Sequence, residues 1–454
     1  MVAAAGRGAG VVRRFLPSRW LLVVLVGAMM SPWALAFDGA QAWGGRPAAT
    51  RTFDALVELF RREYWNPEHV DWDTWAGEHR ERVLGAENRA AFDTALRRMV
   101  RALADDHSVW TGLPPHGGDS TAEEGGPALP APPPRLGVQY QFVTGRGLVV
   151  ERVFPSTPAA LAGLQRGDVI VAIGGTDVAR GGGLADANAV MREALGAGPV
   201  RLLVERRRAS LVLEVAPAPV AFADVASAPY GALLDPSTGY LAVPSFNAAG
   251  VGEAVHARLR ELVDEGAVNL VLDLRGNLGG RLVELGLLLG AFTEGEWAEA
   301  IAKDQVAWRG RYDRDAGGGV ARLVGDDGAV LAEARVAQPV RWRGRVVVIV
   351  GAENASAGEI AALALQDHGV AAVVGEPTAG NVEAIRGFGL PDGSRVLIAV
   401  ANLRGARGLD FDAGVIPDVL VTTTVGDLAR GVDPAVAEAR RLLGALPFTP
   451  DRHF

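Results

Sequence analysis

The amino-acid sequence predicts a multidomain α/β protein with a helical N-terminal segment, a β-rich domain and a larger α/β domain. At 454 residues the chain is long enough for two or three domains. Apolar residues recur at three- and four-residue spacing between residues 52 and 112, as in amphipathic helices. Short strand-like segments follow from 135 to 217. Strands then alternate with helices from 228 to 425, which is typical of a largely parallel sheet.

Six segments follow from these changes of pattern. A tract rich in glycine and proline, "HGGDSTAEEGGPALPAPPP", separates the first helical part from the β-rich part and predicts an exposed linker. The predicted segments are a signal peptide at 1–36, an N-terminal helical domain at 45–115, the linker at 116–134, the β-rich domain at 135–218, the α/β core at 228–430, and a C-terminal helix and tail at 431–454.

The first 36 residues have the pattern of a secretory signal peptide. Arg13, Arg14 and Arg19 precede an apolar stretch that ends in Ala-Leu-Ala. We therefore expect an exported protein, periplasmic or extracellular, or a membrane-anchored one if this segment is retained uncleaved. The net charge of −8 would become more negative on removal of this arginine-rich leader, so nucleic acid is not an expected partner. The absence of cysteine excludes disulfides, thiolate metal sites and a cysteine nucleophile.

Ser356 occupies a turn of small residues between a buried strand and an apolar helix, in "VIVGAENASAGEIAALALQDHG". A side chain at such a turn can face the N–H groups that begin the helix, where a developing negative charge is stabilised. The same position is also that of an ordinary helix cap, a role that Asn354 or Ser356 could fill. The local pattern leaves both interpretations open.

The β-rich part resembles a PDZ domain. Leu136-Gly137-Val138 opens a strand, and "GLQRGDVI" follows at 163–170. In a PDZ domain this loop offers backbone N–H groups to the C-terminal carboxylate of a peptide, which adds a strand to the sheet edge. The resemblance implies that Leu136, Gly137 and Val138 bind peptide. The alternative is a small β-domain used only for packing.

Several motifs occur in one order along the chain. They are "LADDHS" at 103–108, "LVLDLRGNLGG" at 270–280, "NASAGE" at 354–359, "VVGEPTAGN" at 373–381 and "GVIPDV" at 414–419. Together with the PDZ-like part, this series resembles the S41 family of C-terminal processing (tail-specific) serine peptidases. The resemblance implies a ClpP/crotonase-like α/β core, with Ser356 as nucleophile and the N–H groups of Gly279 and Ala357 as oxyanion hole. It further implies peptide or unfolded-protein tails as substrates and no cofactor.

The general base departs from the pattern of the lysine-dependent members. Where they have lysine this sequence has Asn381, which cannot accept a proton from serine, and Ile385 replaces the supporting glutamine. The only lysine, Lys303, lies in an unrelated segment. The tricorn-like branch of the family uses a histidine from the preceding helical part, which makes His107 the candidate base. An unperturbed histidine titrates near ~6.5 and suits this task.

The acid that orients His107 is not determined by the sequence. In the tricorn-like branch a glutamate precedes the closing Gly-Val, and this place falls on Phe411. The neighbouring Asp410 and Asp412, or Asp106, are the candidates. We expect no metal, because Asp105-Asp106-His107 is the only cluster of such residues. His368 is expected to be a cation at a helix C-terminus, and His79 and His256 to be solvated.

The loss of the lysine and the glutamine motivates a second hypothesis. In it the chain is a catalytically inactive S41-like protein that only binds peptides or other ligands. The sequence does not predict the oligomeric state.

Overall fold

The N-terminal region is a helical unit with a short strand. The computed structural model describes residues 45–105, 107–113, 134–207, 209–220 and 227–445. The elements of this region are α1 (Gly45–Glu63), α2 (Trp72–Leu84), α3 (Arg89–Arg101) and β1 (Val109–Gly112). Asp71 and Asn88 cap α2 and α3 by accepting the N–H groups of Thr74 and Ala91. The predicted signal peptide and nearly all of the predicted linker lie outside the described residues.

The second unit is a small antiparallel sheet with one longer helix. Its elements are β2 (Pro134–Arg135), β3 (Val138–Val143), β4 (Gly147–Val153), α4 (Pro158–Leu161), β5 (Val169–Ile173), β6 (Thr176–Asp177), α5 (Leu184–Ala197), β7 (Val200–Arg206), β8 (Ala209–Val215) and β9 (Ala218–Pro219). The strand order is β3-β4-β5-β7-β8, with β6 paired to β5. The strand β3 therefore lies at the edge of its sheet, as a strand that receives an added peptide must.

The α/β core is built on a six-stranded sheet. Its elements are β10 (Tyr230–Asp235), β11 (Thr238–Ala242), α6 (Val251–Asp264), β12 (Asn269–Asp273), α7 (Leu282–Leu289), β13 (Gly295–Ala302), β14 (Gln305–Asp315), β15 (Gly318–Gly325), β16 (Val330–Val336), β17 (Arg345–Val350), α8 (Ala357–Asp367), β18 (Ala371–Gly375), β19 (Ala384–Gly389), β20 (Arg395–Gly405), β21 (Val419–Leu420), α9 (Val425–Ala429) and α10 (Pro434–Ala445). The order is β10-β11-β12-β17-β18-β21, and every pair is parallel except β10 with β11. This sheet confirms the predicted α/β class.

The parallel register brings two functional turns to one edge of the sheet. Asp273 at the end of β12 lies opposite Ile349 of β17. The glycine-rich turn that follows β12 and the small-residue turn that follows β17 therefore lie side by side. Ligands of open α/β sheets bind at this carboxyl end of the strands.

A second sheet of seven strands was not predicted from the sequence. It is antiparallel and runs β1-β20-β13-β14-β15-β16, with β19 also paired to β20. Val109 of β1 pairs with Leu397 of β20. This pairing anchors the segment just after His107 to the second sheet of the core.

The C-terminal helices close the molecule. Ala435, Ala439 and Leu443 of α10 pack on one face of the parallel sheet. Leu428 and Ala429 of α9 form a separate apolar contact with β4 of the second unit. No helix in the described ranges is both long enough and apolar enough to cross a membrane.

Candidate functional site

Ser356 is held in a strained backbone conformation at the start of α8. Its φ is 53° and its ψ is −131°, a region that residues other than glycine rarely adopt. Its N–H donates to the carbonyl oxygen of Asn381 at 2.7 Å. Its side chain makes no capping hydrogen bond to the helix. Of the two interpretations of this turn, a simple helix cap is therefore not supported.

The turn before Ser356 is braced by a buried asparagine. The Asn354 Oδ1 accepts the N–H of Gly351 at 2.8 Å, and its Nδ2 donates to the carbonyl oxygen of Leu274 at 2.6 Å. The first bond closes the turn after β17, and the second joins this turn to the end of β12. Asn354 therefore has a structural role in this turn.

The backbone of Gly279 packs directly on Ser356. A Cβ at this position would lie 2.7 Å from the Ser356 Cβ and 2.9 Å from the Ala357 nitrogen, so only glycine permits the approach. The Gly279 N–H, however, donates to Asn277 Oδ1 at 2.8 Å. Of the two predicted oxyanion donors, Gly279 is therefore engaged within its own turn. Ala357 supplies the first N–H of α8, which points out of the helix end.

His107 lies on a turn that is fixed from three sides. The Asp105 Oδ1 accepts the N–H of His107 at 3.0 Å and also that of Ser108. The buried Ser108 Oγ accepts the N–H of Ala399 from β20 at 3.1 Å. Pairing of β1 with β20 completes the attachment.

The side chain of His107 meets Glu383. His107 Nδ1 and Glu383 Oε2 lie 2.6 Å apart, and the two side chains are only 10% and 16% exposed. Their approach falls outside the alignment of a regular hydrogen bond, and neither atom has another partner among the described residues. Burial raises the pKa of Glu383, but the neighbouring imidazole together with backbone hydrogen bonds from Val382 and Glu383 leaves that pKa below its usual value.

Glu383 was not among the residues predicted from the sequence, and the predicted acids have other contacts. Asp410 Oδ1 accepts the N–H of Asp412 at 3.0 Å and closes a local turn. Burial raises the pKa of Asp412. The negative charges of Glu383 and Asp410 also raise it, whereas a hydrogen bond with Asn402 lowers it. Glu383 thus takes the place next to the imidazole that was expected for Asp410 or Asp412. Asp106 lies outside the described residues.

The segment that carries Asn381 is clamped by a buried glutamate of α8. Glu359 Oε1 accepts the Thr378 hydroxyl and the Gly380 N–H, and Oε2 accepts the Asn381 N–H at 2.9 Å. Because the Asn381 carbonyl oxygen in turn accepts the Ser356 N–H, these bonds connect this segment to Ser356. Lys303 lies elsewhere, at the turn between β13 and β14, where its Nζ donates to the carbonyl oxygen of Arg62 at 2.9 Å.

The predicted peptide-binding loop lies at the start of the edge strand β3. The Leu136 carbonyl accepts the Ala159 N–H at 2.8 Å, and the Gly137 carbonyl accepts the Phe154 N–H at 3.0 Å. Gly137 has a φ of +75°, and a Cβ there would collide with Thr157 at 2.3 Å. Val138 begins β3, and the outer edge of this strand is unpaired within the described residues.

Three other histidines are buried, in contrast to what the sequence predicted for their surroundings. His368 lies at the C-terminus of α8 as expected, but it is buried, and burial lowers its pKa and so disfavours the expected cation. His256 is also buried rather than solvated, and burial lowers its pKa to about 4. His79 is buried and its Nδ1 lies 2.9 Å from the Trp75 carbonyl oxygen. Across the described ranges, no group of three or more acidic or histidine side chains is arranged to hold a metal ion.

Two parts of the chain match known protein families. Residues 237–421 match peptidase family S41, and residues 149–206 match a PDZ domain. The chain is 32% identical over 272 residues to the carboxyl-terminal-processing protease of Picosynechococcus, covering 59% of each chain. It is 31% identical over 301 residues to that of Synechocystis, covering 64% of this chain and 62% of the relative. It thus spans about three fifths of the length of these curated relatives.

The fold itself is shared with a solved structure. A Bacteroides fragilis protein classed as an S41 protease superposes with a TM-score of 0.55 at 18% identity, covering 87% of this chain and 98% of that one. The two turns at the carboxyl ends of β12 and β17 both lie within the region matched to family S41. Residues 237–421 are therefore similar to peptidase family S41, and residues 149–206 are similar to a PDZ domain.

Proposed function

We propose that this protein is a serine endopeptidase that cleaves peptides or proteins near their C-terminal tails. The observation that carries the proposal is Ser356 itself, with a strained φ, no capping bond and a helix N-terminus beside its hydroxyl. Strain of this kind persists where the surrounding structure enforces it, and it is concentrated at functional sites. The similarity to carboxyl-terminal-processing proteases supports the choice of substrate class.

In the proposed reaction the Ser356 Oγ attacks the scissile carbonyl carbon while the imidazole of His107 takes its proton. The oxyanion that forms is stabilised by the Ala357 N–H at the start of α8. The C–N bond then breaks, and the imidazolium returns the proton to the leaving amine. Water, deprotonated by the same imidazole, hydrolyses the acyl-serine and regenerates the enzyme.

A connection between Ser356 and His107 runs through one short segment. Asn381 accepts the Ser356 N–H at 2.7 Å, and Glu383, two residues further on, contacts His107 at 2.6 Å. Two residues of extended chain span at most about 7 Å. This arrangement supports the histidine, rather than the remote Lys303, as general base.

A serine-reactive fluorophosphonate tests the covalent step. We expect one adduct per chain, located on Ser356 by peptide mapping, and no adduct on Ser356→Ala. The variant should unfold at nearly the wild-type temperature, since the hydroxyl makes no capping bond. Turnover of a peptide substrate by Ser356→Ala at the wild-type rate would refute the assignment.

The second candidate is a catalytically inactive peptide-binding protein. The bond from the Gly279 N–H to Asn277 Oδ1 favours it, because that N–H would otherwise face the oxyanion. In this case the wild-type protein would form no adduct with the fluorophosphonate, yet would still bind peptides. The labelling experiment therefore separates the two candidates.

We further propose that the PDZ domain captures the carboxylate of a substrate tail at Leu136, Gly137 and Val138. The unpaired outer edge of β3 supports this, because its backbone groups can pair with an added strand. Amidation of the peptide C-terminus should weaken binding by tenfold or more in a fluorescence titration, since a charge-assisted contact is lost. Equal affinities for the free acid and the amide would contradict carboxylate capture.

Export to the periplasm or the cell exterior is also part of the proposal, and rests on the leader pattern of residues 12–36. N-terminal sequencing of the protein recovered from a secreting host should give a mature start just after Ala36. Recovery of the intact leader in a membrane fraction would instead indicate an anchored protein.

A further inference from the structure

We propose that Glu383 is the positioning residue for His107, so that the acid of this serine peptidase lies on the segment that carries lysine in the lysine-dependent members. The inference rests on the proposed function and assigns a role that the sequence placed on Asp410 or Asp412. Its basis is the 2.6 Å approach of Glu383 Oε2 to His107 Nδ1 between two mostly buried side chains.

The position of Glu383 is set by the packing on either side of it. Glu359 clamps the chain up to Asn381, and Val382 is fully buried. Glu383 is followed at once by β19, which pairs with β20. Since β20 also pairs with β1, the strand that follows His107, the acid and the imidazole are attached to the same sheet.

The contact fixes which nitrogen of the imidazole carries the proton. A carboxylate beside Nδ1 can only accept a hydrogen bond, so it favours the tautomer with the proton on Nδ1. Nε2 is then left as the acceptor for the serine proton. The same carboxylate stabilises the imidazolium that forms during acylation. The imperfect alignment in the resting enzyme is typical of catalytic hydrogen bonds, which tighten when substrate binds.

Other ionisable groups surround this pair without replacing it. Asp105 accepts the backbone N–H of His107 from its own turn. Tyr64, the residue that follows α1, faces Asp105 and Glu383; burial, followed by these two carboxylates, raises the pKa of its phenol, which therefore stays a neutral donor. The charge of Glu383 also raises the pKa of Asp412, after burial, which is the larger cause. Of these groups, only Glu383 has a carboxylate oxygen in contact with an imidazole nitrogen of His107.

Glu383→Gln is the critical variant, because an amide keeps the shape of the side chain but not its charge. Its NH₂ group can donate to Nδ1 and so favour the wrong tautomer. We expect the plateau rate of fluorophosphonate labelling at Ser356 to fall by about 10²- to 10⁴-fold. The acidic limb of the labelling rate against pH should move to lower pH by about one unit, since an anion beside the base is lost. Glu383→Asp should recover part of the plateau rate.

Glu376→Gln is the matched control. Glu376 lies in the same connection between β18 and β19, but its carboxylate accepts the Thr422 hydroxyl instead of meeting His107. This variant should keep the wild-type plateau and pH profile. Thermal unfolding of all three variants, followed by circular dichroism, separates loss of folding from loss of positioning. A Glu383→Gln protein that folds and labels with the wild-type plateau and profile overturns the proposal.

A measurement that does not need catalysis separates this proposal from the proposed function. Nitrogen-15 NMR of histidine-labelled protein at high pH reports which ring nitrogen of His107 is protonated. The wild type should carry the proton on Nδ1, and Glu383→Gln should shift the population toward Nε2. If the wild type forms no adduct, the peptidase assignment fails, and the NMR result still decides the role of Glu383. An unchanged tautomer in Glu383→Gln refutes it.

Discussion

Ser356 shows how a fold holds one residue in an unfavourable conformation. A positive φ costs a residue with a side chain of order 1–3 kcal/mol. The surrounding contacts offset that cost here: Asn381 accepts the Ser356 N–H, and Gly279 leaves room for the side chain. In the proposed mechanism, this conformation holds the hydroxyl beside the first N–H of α8.

His256 is a buried residue with a defined consequence for stability. Its Nε2 donates to the Leu287 carbonyl and its Nδ1 accepts the Val340 N–H, so the fold holds the neutral ring. Burial lowers its pKa to about 4, against about 6.5 in the unfolded chain. Because the unfolded chain takes up the proton first, stability should be lost as the pH falls from about 6.5 to about 4 and this loss should stop below 4. The predicted loss is about 3 kcal/mol.

Urea titrations of the wild type and of His256→Gln at several pH values test this prediction. The glutamine NH₂ can donate a hydrogen bond and its amide oxygen can accept one, but the side chain does not titrate. Its free energy of unfolding should therefore fall less steeply between pH 6.5 and pH 4. His69→Gln is the control, since that histidine is exposed. Parallel curves for the wild type and His256→Gln would contradict the prediction.

Motifs in the sequence identified Ser356 and His107 as candidates, but not Glu383. The first two lie in local patterns of strand, turn and helix. Glu383 is an isolated charge in a loop, and its partner His107 is distant in the chain, so no spacing reveals the pair. Asn381 in place of lysine was the one sign in the sequence that this loop differs from that of the lysine-dependent members. The burial of His256 and His368 was missed as well, because segments distant in the chain enclose them: His256 contacts Leu287 and Val340, and His368 contacts Thr293.

At the scale of elements, the first turn of α8 organises the site. Glu359 accepts three hydrogen bonds from the segment that carries Asn381, and it is completely buried. Glu359→Gln turns one oxygen into a donor that faces backbone N–H groups. We expect a loss of about 2–3 kcal/mol in the free energy of unfolding and slower labelling of Ser356. Differential scanning calorimetry and fluorophosphonate labelling measure the two effects.

Glu353→Gln is the control for this prediction, because Glu353 belongs to the turn before Ser356 but is exposed. It should change the free energy of unfolding by no more than about 0.5 kcal/mol. A Glu359→Gln protein as stable as this control would show that the clamp is not needed to hold the segment.

The elements of the parallel sheet were predictable, whereas the antiparallel arm was not. Strands β12 and β17 are continuous apolar runs buried on both faces, and helices separate them in the chain. The arm from β13 to β16 mixes charged and apolar residues over long strands. Its first hairpin turns at Lys303 and Asp304, both with positive φ, where glycine or asparagine would have been the recognisable signal.

At the scale of the whole molecule, polar contacts join the PDZ domain to the α/β core. Arg152 of β4 donates to the carbonyl oxygen of Arg275, at 2.5 Å, just before the turn that contains Gly279. Arg275 is a nearly buried cation that pairs with Asp273 and with Asp433 at the start of α10. Asp433 also pairs with Arg166 of the PDZ domain at 3.2 Å. One carboxylate thus connects the PDZ domain, the core and the C-terminal helix.

Removing that carboxylate should weaken the junction. In Asp433→Ala, Arg275 keeps Asp273 but loses its second partner, and Arg166 loses an ion pair across the domains. We expect a loss of about 2–3 kcal/mol, because hydrogen bonds to a buried charge are broken. Hydrogen exchange should become faster in Gly167 and Asp168, which face α9 and the turn after it.

The control is Glu438→Ala on α10, whose ion pair with Arg441 is exposed and should be worth less than about 1 kcal/mol. If both variants lose equally little stability and exchange at the wild-type rate, the PDZ domain is held to the core by the apolar contact of Leu428 and Ala429 with β4, and Asp433 is only a helix-terminal acid.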